Sequence, residues 1–132
     1  LRPYFPAMGT AWTTGAALPG GGFPLAERSR RIGSLLAAYP FLTPRWADRL
    51  WRSYGTDAEV LLRDAASADD LGACFGADLT EREVVWLMER EWARTAEDVV
   101  WRRSKLGLRL TDAEVTALGA WMRERVKHSV VP

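Results

Sequence analysis

The chain has 132 residues, 48% of them hydrophobic and 27% charged, which suits a single folded domain and excludes both disorder and a dinucleotide-binding fold with anything attached. Eighteen basic against seventeen acidic side chains leave a formal charge of +1, so no long-range field gathers nucleic acid or an anionic membrane. The seven tryptophans promise a large apolar payload for a core.

The stretch 1–23 holds Pro3, Pro6, Pro19 and five glycines, punctuation that forbids a long helix. It reads as an extended lead-in whose apolar residues, Tyr4, Phe5, Met8, Trp12 and Leu18, are too many for a free linker. They are expected to lie along the bundle or a neighbouring domain. Residues 24–132 then take on helical periodicity. The first helix places Leu25, Ile32, Leu35, Leu36 and Tyr39 on one stripe and ends at Pro40; Arg28, Arg30 and Arg31 lie on its other faces, where a membrane-lying helix is the less favoured reading. In the second, Thr43 caps and Pro44 opens a helix carrying Trp46, Ala47, Leu50, Trp51 and Tyr54, closed by Gly55. Later starts repeat a threonine with an acid three residues on: Thr56 with Glu59, Thr80 with Glu83, Thr95 with Asp98, and Thr111 with Glu114. They predict helices near 57–66, 80–92, 96–106 (ended by Gly107) and 112–126, the last turning Val115, Leu118, Met122 and Val126 inward. No alternating run is long enough for a strand. The expected architecture is all-α, a compact bundle of about six helices behind an extended Gly/Pro-rich lead-in.

Catalytic and metal chemistry has little to stand on. One histidine, His128, and one cysteine, Cys74, cannot supply the usual metal ligand sets or a histidine-based triad, and a lone cysteine fits a reducing compartment. Gly20, Gly21 and Gly22 lack the preceding strand and further glycine of a dinucleotide fingerprint and the lysine of a phosphate loop, so they read as a turn. Asp69 and Asp70 are adjacent on a loop and read as solvated. No catalytic, cofactor-binding or metal-binding residue is therefore assigned.

The stretch 89–107 is the informative one. Arg94, Asp98 and Arg102 are spaced by four, a ladder of opposite charges on a helix, with Lys105 beyond and Trp92 and Trp101 flanking it. An ordinary solvated helix face is the plain reading. The sharper one is that Arg94, Asp98, Arg102, Arg103 and Lys105 meet another domain or an anionic ligand. A DNA-reading helix-turn-helix is disfavoured by the charge of +1, and no nucleic-acid partner is expected.

The same stretch, EWARTAEDVVWRRSKLG, resembles the signature of the C-terminal domain of aerobic, FAD-dependent glycerol-3-phosphate dehydrogenases. GTAWTTGAALPGG, YPFLT, RSYGTDAEVLL and DLGACFGADLTEREVVWLMEREW follow in the order of that family, and the likeness fades after about Asp112. Ser104 stands where the family often has threonine and keeps the hydroxyl. The resemblance implies a parent that oxidises glycerol 3-phosphate to dihydroxyacetone phosphate on FAD and passes electrons to a membrane quinone, peripheral on the inner face of the cytoplasmic membrane. Flavin and substrate sites are implied upstream, in an N-terminal flavin domain of the same chain, with no FAD held by these 132 residues and no activity in them alone. The start at Leu1 rather than Met fits a piece of something longer. The alternative is an independent helical protein-interaction module.

Overall fold

The structure, a computed structural model, describes residues 3–129, with side chains to 127. It is an all-helical assembly with no strand among the described residues. The helices are α1 (Arg28–Ala38), α2 (Pro44–Tyr54), α3 (Asp57–Leu62), α4 (Glu81–Arg90) and α5 (Asp112–Ser129), and a π-helical turn over Asp98–Arg103 stands between α4 and α5. An isolated antiparallel bridge, Cys74 to Thr80, pins the loop before α4.

The core is built from leucine, valine and alanine rather than tryptophan. Leu35, Leu50, Leu62, Leu87, Val99 and Leu118 are fully buried, whereas only Trp51 of the seven tryptophans is. Trp46, Trp86 and Trp121 pack on the core's edge, and Trp12 and Trp92 are 75% and 74% exposed. Interdigitating aliphatic side chains fill the narrow space between short helices, and the large indoles cover its rim. Two residues expected inside lie outside: Leu25 is exposed because it precedes α1 in a 3-10 turn, and Val126 because it lines an open cleft beside Val85 and Met88 of α4 rather than the core.

Capping explains where the helices start, though not always as the spacing predicts. Thr43 Oγ1 accepts the Trp46 amide at 3.2 Å, Pro44 opens α2, and Gly55 ends it at φ 55°. Thr95 and Asp98 exchange reciprocal bonds, as do Thr111 and Glu114. The other two pairs do not form boxes. Thr56 follows α2 so closely that its own backbone is helical, without the extended conformation a cap requires, and its amide goes to Gly20 O at 3.0 Å. At α4, Thr80 is extended but Glu83 turns into the interior. A box the spacing does offer, Ser67 with Asp70, opens the short turn Ala68–Leu71. Asp70 is thus a capping residue rather than a merely solvated one, and the Ser67 and Ala66 amides hold its carboxyl below the ordinary range.

The fifth predicted helix is largely a π-turn. Ser104 donates from both its amide (3.0 Å) and its hydroxyl (2.7 Å) to Val99 O, the wider i to i−5 closure. Both Val99 and Val100 are fully buried, while Trp101, Arg102 and Arg103 face outward. Lys105, at φ 59°, ends the turn, not Gly107. Gly107 instead lies under the Trp101 ring, where a Cβ would come within 2.6 Å of the indole.

Residues 3–19 are all exposed. The lead-in joins the bundle at Gly20, whose Cβ, if present, would sit 2.0 Å from Tyr54 O, and at Phe23, whose ring lies 5.2 Å from that of Trp51. The glycine triplet thus makes a turn that presses backbone against the end of α2.

Candidate docking surface

Two ionic assemblies stand out. The first was not legible in the spacing. Arg49 of α2 reaches across to α4, giving Nη1 and Nη2 to Glu83 Oε1 and Oε2 at 2.6 and 2.7 Å, Nη2 to Asp78 O at 3.0 Å, and Nε to Asp78 Oδ1 at 2.5 Å. Tyr54 donates to Glu83 Oε1 at 2.7 Å, and Arg109 to Asp78 Oδ2 at 3.2 Å. Glu83 is 0% exposed, so this bidentate pair satisfies a carboxylate that burial alone would forbid. Burial works against the Arg49 guanidinium, but Glu83 and then Asp78 overcome it and hold its pKa above the ordinary value. Burial, and then the facing Glu83 carboxylate, push the Tyr54 phenol well up. With every carboxylate oxygen of Glu83 and Asp78 facing a donor, the knot is suited to holding α2, α4 and the 76–79 loop together.

The second assembly contains the predicted residues. Asp98 Oδ2 accepts the Arg94 and Thr95 amides at 2.9 Å each, and its Oδ1 pairs with Arg102 Nη1. The Arg94 amide, the Thr95 amide and the Arg102 guanidinium, in that order, hold the Asp98 carboxyl well below the carboxylate range. The ladder is therefore incomplete: Arg94 contributes its backbone, not its guanidinium, and Lys105 sits in the left-handed turn that ends the segment. Arg103 lies instead near Glu91, whose carboxylate it favours. The tryptophans do not stack on the ladder; the cation–π contacts among the described residues are Arg90 over Trp86 and Arg125 over Trp121.

What the segment offers is an outward face. Trp92 takes φ 57° and Lys105 φ 59°, the left-handed region that a bulky residue enters at a cost of about 1–3 kcal/mol, so the segment is bounded by a strained residue at each end. Over this stretch Trp92, Arg94, Trp101, Arg102 and Arg103 are exposed. Exposed tryptophan and arginine together are the composition of interface anchors.

The remaining candidates resolve plainly. Arg28 pairs with Asp48, and Arg30 and Arg31 both pair with Glu27, so the cations of α1 are spent on neighbouring acids. Cys74 is exposed, no group of metal-holding side chains occurs among the described residues, and no described helix is long and apolar enough to cross a membrane. The His128 side chain lies outside the described ones. The glycine turn at 20–22 does not have the form of a dinucleotide cradle: it follows no strand among the described residues, and its first glycine is pressed against Tyr54 O.

Fold and surface together define a small all-helical domain with exposed tryptophan and arginine side chains along residues 92–103. The chain belongs to the family described as the C-terminal domain of alpha-glycerophosphate oxidase, which it matches over residues 11–128. It is 38% identical over 124 residues to the aerobic glycerol-3-phosphate dehydrogenase of Escherichia coli (strain K12), covering 94% of this chain and 25% of that protein. A glycerol-3-phosphate dehydrogenase of Pseudomonas aeruginosa is 39% identical over 132 residues, covering 97% of this chain and 25% of the relative. D-erythritol 1-phosphate dehydrogenase of Brucella abortus is 39% identical over 121 residues, covering 92% and 24%. The chain thus spans about a quarter of the length of the curated relatives it matches.

Proposed function

We propose that this chain is the accessory C-terminal domain of an FAD-dependent glycerol-3-phosphate dehydrogenase, docked on a preceding flavin domain and not catalytic in isolation. The observation that carries this reading is the family match over nearly the whole chain combined with coverage of only about a quarter of the dehydrogenase relatives. In the parent, glycerol 3-phosphate is oxidised to dihydroxyacetone phosphate, the flavin takes the electrons, and a quinone at the inner face of the cytoplasmic membrane receives them. The chain is equally similar to a glycerol-phosphate and an erythritol-phosphate enzyme, which favours placing the choice of polyol phosphate outside this domain.

On this reading the lead-in and the face formed by Arg94, Asp98, Arg102, Arg103 and Lys105 meet the flavin domain. Its support is the exposure of Tyr4, Phe5, Met8, Trp12 and Leu18 together with the outward segment that carries Arg102 between the left-handed residues Trp92 and Lys105. The test is charge reversal in the full-length parent. Arg102→Glu is expected to lower flavin retention and activity while leaving the helicity of the isolated chain intact. Unchanged retention and activity would assign these residues to an ordinary solvated face. A partner recovered by pull-down with the isolated chain, from a parent lacking any flavin domain, would favour the independent interaction module.

A further inference from the structure

At the root of the lead-in lies a cleft of about 350 Å³, lined by Pro19, Ser53, Tyr54, Asp57, Trp86, Arg90 and Glu91. Pro19 forms one wall, so the lead-in leaves the bundle along the edge of this cleft. Tyr54 and Trp86 give it an aromatic lining, and the two acids that line it are Asp57 and Glu91. The one cation inside, Arg90, is drawn over the Trp86 ring. Glu91 is half-buried; its amide donates to Leu87 O at 3.1 Å, but its carboxylate makes no hydrogen bond or ion pair among the described residues. Burial raises its carboxyl above the ordinary value; Arg103 nearby works against that rise and the buried Glu83 adds to it. A half-desolvated carboxylate without a donor is a poor resting arrangement, and an aromatic lining in the same cleft suits the flat apolar face of a guanidinium or the stem of a lysine.

We infer that this cleft receives a cationic side chain, arginine or lysine, from the portion of the parent protein that precedes this domain, with Glu91 as its direct partner. The inference rests on the proposed reading that a flavin domain precedes the chain. Three features favour that occupant. Relatives are about four times as long as the stretch matched here, so a large body of protein is available to reach the cleft. The cleft adjoins the point where the exposed, apolar lead-in begins, so whatever that lead-in covers starts here. Its Glu91 carboxylate makes no ion pair among the described residues, Arg103 acting on it only from nearby, so a basic side chain entering the cleft meets an acid it can pair with.

The experiment uses the full-length parent, holding its flavin. Carboxyl groups are labelled with a carbodiimide and a small amine and located by mass spectrometry. Asp64, 89% exposed at the side-chain level, is the internal reference. The expected result is label on Asp64 and loss of label on Glu91, at every protein concentration. Glu91→Gln and Glu91→Lys parents are then cut with chymotrypsin, which reads the exposure of Trp12 in the lead-in. Cleavage at Trp12 is expected to rise in the glutamine variant and further in the lysine variant. Labelling of Glu91 as fast as Asp64 would overturn the inference, as would unchanged cleavage in both variants. Protection of Glu91 that vanishes on dilution would also overturn it, because the occupant would then be a second copy. A parent with no flavin domain would sink the underlying reading whatever Glu91 does, so the two failures are distinct.

Discussion

The buried knot around Glu83 and the outward segment around Asp98 use the same side chains, arginine and carboxylate, to opposite ends. In the knot, Arg49, Tyr54, Asp78 and Glu83 come from α2, α4 and the loop between, and the acid at the centre is fully buried. In the outward segment Asp98 works locally, taking amides three and four residues before it and a guanidinium four residues after, and Arg102 stays largely in water. Charges that fix the fold here are distant in sequence and dry. Charges evenly spaced in sequence pair locally on a rim, where the Arg94 and Arg102 side chains stay exposed. That division is what makes the segment a docking candidate and the knot a clamp.

The largest expected effect falls on the clamp. Arg49→Ala leaves the Glu83 carboxylate buried without its ion pair and should cost about 3–5 kcal/mol, read as a large drop in melting temperature of the chain. A loss below about 1 kcal/mol would mean that water reaches Glu83 and that the knot is no clamp. Next comes the anchor of the lead-in. Gly20→Ala places a Cβ 2.0 Å from Tyr54 O on a backbone at φ 69°, and a cost of about 1–3 kcal/mol should accompany a change in Trp51 fluorescence as Phe23 shifts.

Asp98→Ala removes the capping acceptor of the outward segment and should cost about 1–2 kcal/mol. The same substitution should flatten the acid limb of stability. The Arg94 and Thr95 amides and Arg102 depress the folded-state pKa of Asp98, so its contribution is present above the ordinary carboxyl value of about 4 and is lost as pH falls through the lower folded value. A denaturation profile whose acid limb is unaltered by Asp98→Ala would contradict that assignment. The smallest effect is Arg102→Ala in the isolated chain, within about 0.5 kcal/mol because the side chain is mostly solvated. A loss several times larger would turn the rim residue into part of the fold.

Local rules carried the sequence reading a long way. The start of α2 at Thr43–Pro44, its end at Gly55, and the boxes at Thr95 and Thr111 all depend on neighbours within four residues, and all are present. The family resemblance in residues 89–107 likewise agrees with the match over 11–128. What local pattern could not carry was the competition for a side chain by distant partners. Glu83 has the spacing of a cap for Thr80, yet Arg49 and Tyr54, 34 and 29 residues away, claim it. The π-turn is similarly hidden, since Val99, Val100 and Ser104 choose a five-residue closure only when two consecutive valines face one core. A hint was available: Arg49 stands in the middle of α2 directly before the core residues Leu50 and Trp51, where a partly buried guanidinium needs an acid.

The central claim is that this helical bundle accompanies chemistry carried out elsewhere in its parent. Its most direct test is the visible absorbance spectrum of the purified 132-residue chain, recorded beside the full-length parent. The account predicts a flavin band in the parent and a colourless chain; a yellow chain that retains flavin through purification would contradict it.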